Sequence, residues 1–401
     1  MYPPSNSRVR LYQVWKGHNK FFCGGRLIFG PDASSVAKTV SLIGIPAIAF
    51  CIKTFLNVAK NSPLRGYSVL IVGIVLLLLD LIFLFVTSGS DPGIVPRSST
   101  PPESGTTSTL SMDWLSRSMS GRKVPRTRDE IVNGKTVRLK FCQTCMIYRP
   151  PRTSHCSRCN NCVLKFDHHC PWVGQCIGIR NYPYYILFIT SSTVLCIYVF
   201  TFTLIHVLQE KGSFWMVLAR DILSVIILVY CFLSVWFVGG LSVFHLYLMC
   251  TNQTTYENFR SRYDNKKNPY NRGILNNLKE LFSTKIPPPL VDFRELVLED
   301  ESLCTESYRL KGKTYIGTEA VLGKYHGSNV YSSPRSVNLP GDKNNTEGNK
   351  EASGRFGTGS ISSPLFPGSR LRRSHSFSGV TSVDNARCED IMFLRVSSAY
   401  H

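Results

Sequence analysis

Four long apolar segments dominate the pattern of hydrophobic and polar positions along this chain. They cover residues 40–58, 66–86, 184–208 and 222–249. Each approaches the roughly 20 residues that a helix needs to cross a bilayer. Pro46 and Lys53 interrupt the first segment, and Lys53 can extend its ammonium group to the membrane surface. Asp80 in the second opposes insertion by about 3 kcal/mol, but the surrounding Leu, Ile, Val and Phe residues, favourable by about 0.3 to 0.6 kcal/mol each, outweigh it. The pattern predicts an α-helical polytopic membrane protein with four transmembrane helices.

Polar segments flank and separate these helices. One of them contains a cysteine-rich stretch, and another, at the C-terminal end, is rich in Ser, Gly, Asn and charge and is predicted to be disordered. The predicted regions are an N-terminal segment (1–39), helices 1 and 2 (40–86), a linker (87–140), the cysteine-rich domain (141–183), helices 3 and 4 (184–249), a short segment (250–291) and the tail (292–401).

The placement of charge predicts the orientation in the membrane. The net charge is +20, and the connector 87–183 has 14 Lys/Arg against 6 Asp/Glu. The first 38 residues have 6 basic residues against 1 acidic residue. Because basic segments beside membrane helices stay on the cytosolic side, both termini and the cysteine-rich domain are predicted to face the cytosol.

The cysteine-rich domain contains seven cysteines and three histidines between residues 141 and 181. The C-x2-C spacing that is typical of structural zinc sites occurs in Cys142/Cys145, Cys156/Cys159 and Cys159/Cys162. In the reducing cytosol this spacing favours zinc over disulfides. Two tetrahedral sites use eight ligands, so one cysteine and one histidine remain, and these can serve as a nucleophile and its base.

Cys170 is the candidate nucleophile, because it belongs to no C-x2-C pair and directly follows Asp167, His168 and His169. In an extended segment the side chains of residues i and i+2 share a face. His168 can then contact Cys170 as its base while His169 points toward a metal. Asp167 can fix the tautomer of His168, as an acidic partner does in other nucleophile and base arrangements, if a local turn brings it within reach. From spacing alone, Cys170 as a further zinc ligand remains an equal alternative.

These residues resemble the DHHC family of protein S-acyltransferases, whose name-giving tetrapeptide corresponds to residues 167–170. The resemblance extends over Cys142-x2-Cys145, Arg149-Pro150, Arg152, His155-Cys156-x2-Cys159-x2-Cys162-Val163, Pro171-Trp172-Val173, Cys176-Ile177-Gly178 and Arg180-Asn181. Outside the domain it includes Asp91-Pro92-Gly93, Thr254-Thr255-Tyr256-Glu257, which is similar to the family's TTxE motif, and Asn277 of a C-terminal motif. Gln175 departs from the pattern, because many members have Asn there.

The resemblance implies roles for individual residues. Each of two structural zinc ions would have three cysteines and one histidine, with Cys142, Cys145, His155 and Cys162 as the first set and Cys156, Cys159, His169 and Cys176 as the second. The catalytic residues would be Cys170, His168 and Asp167. Thr254, Thr255 and Glu257 would tether the C-terminal segment to the active-site domain, with Asn277 as a further supporting residue.

The resemblance also implies a protein S-acyltransferase, or palmitoyltransferase, of the endomembrane system (Golgi, vesicles, endoplasmic reticulum or plasma membrane). Cys170 would take a long-chain acyl group from palmitoyl-CoA or another acyl-CoA as a thioester and pass it to a cysteine of a membrane-associated protein. Cys170 lies 14 residues before the third apolar segment, close to the membrane surface. The acyl chain, which gains about 0.8 kcal/mol for each buried CH2, would lie among the helices.

Other classes of protein account for part of the pattern. A membrane-anchored zinc scaffold would retain the metal sites without catalysis, and a thioesterase would use the same residues with water as acceptor. A transporter is disfavoured because the apolar segments contain few polar groups besides Asp80 and Lys53. A nucleic-acid-binding zinc finger is disfavoured by the position between two membrane helices, so no nucleic-acid partner is expected.

Overall fold

Four long helices, each of sufficient length and apolarity to cross a membrane, form the centre of the protein. They are α1 (Ser35–Asn61), α2 (Pro63–Gly89), α3 (Tyr182–Gln209) and α4 (Ile222–Thr251). The structure is a computed structural model and describes residues 8–61, 63–98, 126–132, 135–210, 212, 216 and 219–298. The predicted fold class, four membrane helices with a cysteine-rich domain between the second and the third, is confirmed.

The helices pack with apolar faces both inward and outward. α3 packs against α2 and α4, and α1 packs against α2. Large side chains such as Ile45, Leu78 and Leu233 remain exposed on the outside. An exposed apolar belt of this kind is what contact with lipid requires.

Two charged residues inside the predicted segments find polar partners. Asp80 is fully buried, and the hydroxyls of Ser191 and Ser192 on α3 each donate a hydrogen bond of 2.7 Å to its carboxylate. Lys53 pairs with Asp221, the residue that caps the N-terminus of α4. These contacts lower the cost of keeping a carboxylate and an ammonium group within helices that cross the bilayer.

The cysteine-rich domain is built from short antiparallel hairpins. Its strands are β4 (Thr127–Val132), β5 (Lys135–Cys142), β6 (Ile147–Tyr148), β7 (Ser154–Cys156), β8 (Asn161–Val163), β9 (His168–Cys170) and β10 (Gln175–Ile177). β5 pairs with both β4 and β6, β7 with β8, and β9 with β10. Most of the β4–β5 hairpin lies within the region predicted as linker, so regular structure begins before residue 141.

The two ends of the described chain pair with each other. β1 (Arg8–Arg10) is antiparallel to β11 (Leu296–Leu298), and a further hairpin joins β2 (Lys20–Phe22) to β3 (Leu27–Phe29). Two short helices, α5 (Thr255–Phe259) and α6 (Ile274–Ser283), lie between α4 and β11.

Ordered structure therefore extends to residue 298, beyond the start of the tail predicted to be disordered. Val297 of β11 packs with Leu11 and Phe293 in an apolar cluster, and this burial explains the order. Residues 299–401 of the tail, and residues 99–125 of the predicted linker, lie outside the described residues.

Candidate active site and metal centres

Two clusters of three thiols and one imidazole lie in the cysteine-rich domain. Cluster 1 consists of Cys142, Cys145, His155 and Cys162, and cluster 2 of Cys156, Cys159, His169 and Cys176. Within each cluster all candidate ligand atoms are within 4.8 Å of one another. His155 Nδ1 is 3.4 to 3.8 Å from its three sulfurs, and His169 Nδ1 is 3.3 to 3.7 Å from its own three. Three soft thiolates and an imidazole in a closed, four-membered set fit structural zinc.

The hairpin registers explain why the two clusters interleave along the sequence. His155 lies directly across from Cys162 in the β7–β8 hairpin, and His169 lies directly across from Cys176 in the β9–β10 hairpin. Each cross-strand pair combines with the two cysteines of the preceding hairpin, Cys142/Cys145 for cluster 1 and Cys156/Cys159 for cluster 2. Residues 156 and 162 therefore belong to different clusters although both are on the same hairpin.

Three of the four residues of the tetrapeptide, His168 to Cys170, form strand β9, and Asp167 directly precedes it. Alternation along the strand places His168 and Cys170 on one face and His169 on the other, where His169 joins cluster 2. Asp167 Oδ2 is 2.7 Å from His168 Nδ1. This hydrogen bond occupies Nδ1 and leaves Nε2 as the ring nitrogen that can exchange a proton with a thiol.

The environment favours the charged forms of the Asp167 and His168 pair. Burial raises the pKa of Asp167, but hydrogen bonds from His168 and Thr255 and nearby imidazoles outweigh burial and lower it to about 2. Burial lowers the pKa of His168, but its bonds to Asp167 and Cys170 outweigh burial and raise it to about 10. The raised pKa makes His168 a strong proton acceptor for a neighbouring thiol.

The segment after α4 holds Asp167 from the other side. The Thr255 amide donates a 2.9 Å hydrogen bond to Asp167 Oδ1, and the Thr255 hydroxyl donates a 2.7 Å bond to Oδ2. Thr254 caps α5 in a reciprocal arrangement with Glu257, with bonds of 3.0 and 3.1 Å. Thr255 therefore contacts Asp167 directly, while Thr254 and Glu257 cap the helix that carries Thr255.

Glu257 also connects this segment to the cysteine-rich domain. Its carboxylate accepts hydrogen bonds of 3.0 and 2.6 Å from Arg152, and both side chains are nearly inaccessible. Arg152 additionally donates to the Asn252 side chain at 2.8 Å and lies over the ring of Tyr270. The guanidinium group thus joins the cysteine-rich domain to the end of α4 and the segment after it.

Asn277 lies at the start of α6, apart from Cys170. It is buried, its amide donates to the Cys250 carbonyl at 2.8 Å, and its oxygen accepts from the Arg272 amide at 3.0 Å. These bonds hold α6 against the C-terminal end of α4.

Two further residues, His245 and Asp32, lie at the site but were not predicted from the sequence. His245, fully buried on α4, has its Nδ1 3.1 Å from the Tyr182 hydroxyl and its ring centroid 6.1 Å from that of His168. Asp32, just before α1, lies 3.0 Å from His169. A single histidine within an otherwise apolar helix could have pointed to His245 as a functional residue. The residues around Asp32 contain no comparable pattern.

Apolar side chains surround Cys170. Cys170 is 5% exposed and belongs to a core that includes Leu84 of α2 and Ile186 and Ile189 of α3. Trp172, two residues later, is exposed and stacks edge-on with Phe237 of α4. Cys170 therefore lies at the end of the helix bundle that adjoins the cysteine-rich domain, where an alkyl chain can leave water.

Comparison with known proteins gives consistent matches. A family profile described as DHHC palmitoyltransferase matches residues 135–262. "Probable protein S-acyltransferase 3" of Arabidopsis thaliana is 54% identical over 303 residues, which are 75% of this chain and 73% of that protein. "Probable protein S-acyltransferase 1" of Arabidopsis thaliana is 54% identical over 296 residues, 73% of this chain and 88% of that protein.

Proposed function

This chain belongs to the DHHC family of protein S-acyltransferases, and we propose that Cys170 is the residue that carries the acyl group in its reaction. The observation that supports this assignment is the extended strand β9, in which His168 shares a face with Cys170 and contacts its thiol. Asp167, just before the strand, accepts a 2.7 Å hydrogen bond from the His168 ring. The protein is an acyltransferase of the membrane, with four membrane-crossing helices.

The first half-reaction forms an acyl-enzyme. The proton of Cys170 passes to Nε2 of His168, and the thiolate attacks the carbonyl carbon of the acyl-CoA thioester. The new bond joins Cys170 Sγ to the acyl carbon, the bond to the CoA sulfur breaks, and the CoA thiolate takes the proton from His168. Asp167 holds the imidazole in one tautomer and stabilises its cationic form.

The second half-reaction transfers the chain to protein. A cysteine of a membrane-associated substrate gives its proton to His168 and attacks the thioester on Cys170, whose thiolate leaves and is protonated again. One thioester replaces another in each half, so no oxidant, reductant or nucleotide hydrolysis is needed. The apolar residues around Cys170 suit a long-chain donor such as palmitoyl-CoA.

We assign one structural zinc ion to each of the two clusters. Cys142, Cys145, His155 and Cys162 would hold one zinc ion, and Cys156, Cys159, His169 and Cys176 the other. Bound zinc supplies structural cross-links between hairpins and no chemistry at the thioester. The cysteine-rich domain and both termini would face the cytosol of an endomembrane compartment, where the CoA donor is available.

Mapping the acyl group on the native protein tests the assignment. We expect brief incubation with labelled palmitoyl-CoA to place label on the Cys170 peptide, detected by mass spectrometry of a digest that preserves thioesters and removed by neutral hydroxylamine. A cysteine-containing acceptor peptide should then receive the label. Label restricted to other cysteines would contradict the carrier role and favour a scaffold, and label released only as free acid would favour a thioesterase.

Replacing Thr255 by valine should lower kcat about tenfold with little change in KM. The variant removes the 2.7 Å hydroxyl bond to Asp167, and a hydrogen bond to a charged group is worth about 1.5 to 3 kcal/mol. Thr251→Val is the matched control, since the Thr251 hydroxyl bonds to the Tyr247 carbonyl within its own helix, at 3.0 Å. Equal rates for Thr255→Val and Thr251→Val would show that Thr255 does not position Asp167.

A further inference from the structure

We propose that Asp32 is a positioning residue of the second metal centre, supplied by the N-terminal segment. Its Oδ2 is 3.0 Å from Nε2 of His169. The opposite ring nitrogen, Nδ1, faces the thiols of cluster 2 and is 3.3 Å from Cys159 Sγ. A metal-bound histidine commonly donates its second ring N–H to a carboxylate, which fixes the tautomer and orientation of the ring. The inference rests on the cluster 2 ligand set proposed above.

The backbone around Asp32 is packed tightly against the β9–β10 hairpin. Gly174, in the turn of that hairpin, has φ +77°, and a Cβ at this position would lie 2.6 Å from the Asp32 carbonyl oxygen. Beyond Asp32, the Thr39 hydroxyl in the first turns of α1 donates a 2.7 Å hydrogen bond to the Trp172 carbonyl. The backbone of Asp32 and the start of α1 are therefore both held against the hairpin.

Residues before Asp32 hold the cysteine turn of the same cluster. The His18 amide donates a 2.9 Å hydrogen bond to the Cys159 carbonyl, and His18 Nδ1 lies 2.8 Å from the Arg158 carbonyl. Asn161 donates to the side chain of Asn19 at 2.6 Å. The N-terminal segment thus contacts both halves of cluster 2, its cysteine turn and its histidine.

The histidine of cluster 1 differs from His169 in its hydrogen-bond partners. Among the residues that the structure describes, the hydrogen bonds of the His155 ring run only to the cysteines of its own cluster. Loss of the Asp32 carboxylate should therefore affect one zinc ion and leave the other unchanged. This asymmetry separates a specific role of Asp32 from a general loosening of the domain.

The contact between Asp32 and His169 bears on the catalytic pair, because His169 lies between His168 and Cys170 on β9. The side chains of a strand alternate, so a rotation of β9 that turns His169 also turns the opposite face. By fixing His169, Asp32 would help to aim His168 and Cys170 from a position 137 residues away in the sequence.

The test uses the full chain, purified in detergent, with zinc measured by metal analysis and its release followed with a coloured chelator. We expect two zinc ions per native chain. In Asp32→Ala one zinc ion should leave about 10 to 100 times faster, the range typical for loss of such a partner, and the other at the native rate. Asp32→Asn should be intermediate, because its amide oxygen can still accept the ring N–H.

Arg158→Ala is the matched control, since Arg158 forms a 2.8 Å ion pair with the same carboxylate. It removes that pair and leaves the bond to His169, so both zinc ions should leave at rates near native. Unchanged release in Asp32→Ala, equal acceleration of both ions, or equal acceleration in Arg158→Ala would overturn the inference. Fewer than two zinc ions on the native chain would instead overturn the ligand set itself.

Discussion

Replacement of Cys170 by alanine is expected to abolish acyl transfer while both zinc ions remain bound. Without a thiol no acyl-enzyme can form, and removal of a catalytic nucleophile lowers the rate by about 10⁴-fold or more. The measurement is multiple-turnover transfer from labelled palmitoyl-CoA to a cysteine-containing acceptor, together with the zinc content of the same preparation. Because Cys170 belongs to neither cluster, the metal content should stay near two per chain.

The control for Cys170→Ala is Cys23→Ala. Cys23 is an exposed thiol in the β2–β3 turn, so its removal tests whether any accessible cysteine contributes to the label. We expect transfer by Cys23→Ala to equal that of the native protein. Transfer by Cys170→Ala at the native rate would contradict the nucleophile assignment. Loss of zinc together with loss of activity would place Cys170 among the metal ligands.

The second large effect is expected at the Arg152–Glu257 pair. The side chains are only 3% and 2% exposed, so Arg152→Met leaves the Glu257 carboxylate buried without its partner. Burial raises the pKa of Glu257, but the Arg152 guanidinium outweighs it and holds the pKa below its usual value. Removing one partner of a buried pair lowers the free energy of unfolding by about 3 to 5 kcal/mol. A fall in the unfolding temperature, measured in detergent, checks this.

Two comparisons make the Arg152 prediction specific. The double variant Arg152→Met with Glu257→Gln should be more stable than Arg152→Met alone, because no uncompensated charge stays buried. Arg138→Ala, which breaks the exposed pair with Asp129, should cost less than about 1 kcal/mol. If Arg152→Met were no more destabilising than Arg138→Ala, the buried pair would not connect the cysteine-rich domain to the segment after α4.

The four membrane helices follow from the apolar pattern, but the positions of their ends next to the cysteine-rich domain do not. The sequence predicts a first helix from residue 40, whereas α1 begins at Ser35, and α3 begins two residues before the predicted start, at Tyr182. Apolar windows report only the part of a helix that meets lipid. The extra turns lie where helix ends contact the cysteine-rich domain, as the bond from Thr39 to Trp172 shows.

The candidate site was predictable in its local part. The C-x2-C spacings and the alternation along residues 167–170 depend on neighbours in the chain, and they were sufficient to propose zinc ligands, a nucleophile and a base. The grouping of eight ligands into two sets came only from the resemblance to the DHHC family. The structure supplies its physical reason, the cross-strand pairs His155–Cys162 and His169–Cys176.

By itself the sequence determined the membrane class and the cysteine-rich domain, because composition and short-range periodicity carry that information, and its resemblance to the DHHC family predicted residues 167–170 as the reactive tetrapeptide. Only the tertiary structure decided which distant groups complete the site. Asp32 and His169 are 137 residues apart, Asp167 and Thr255 are 88 apart, and Arg152 and Glu257 are 105 apart. Such contacts depend on the path of the whole chain, and a hydrogen bond between remote residues leaves no periodic trace in either segment.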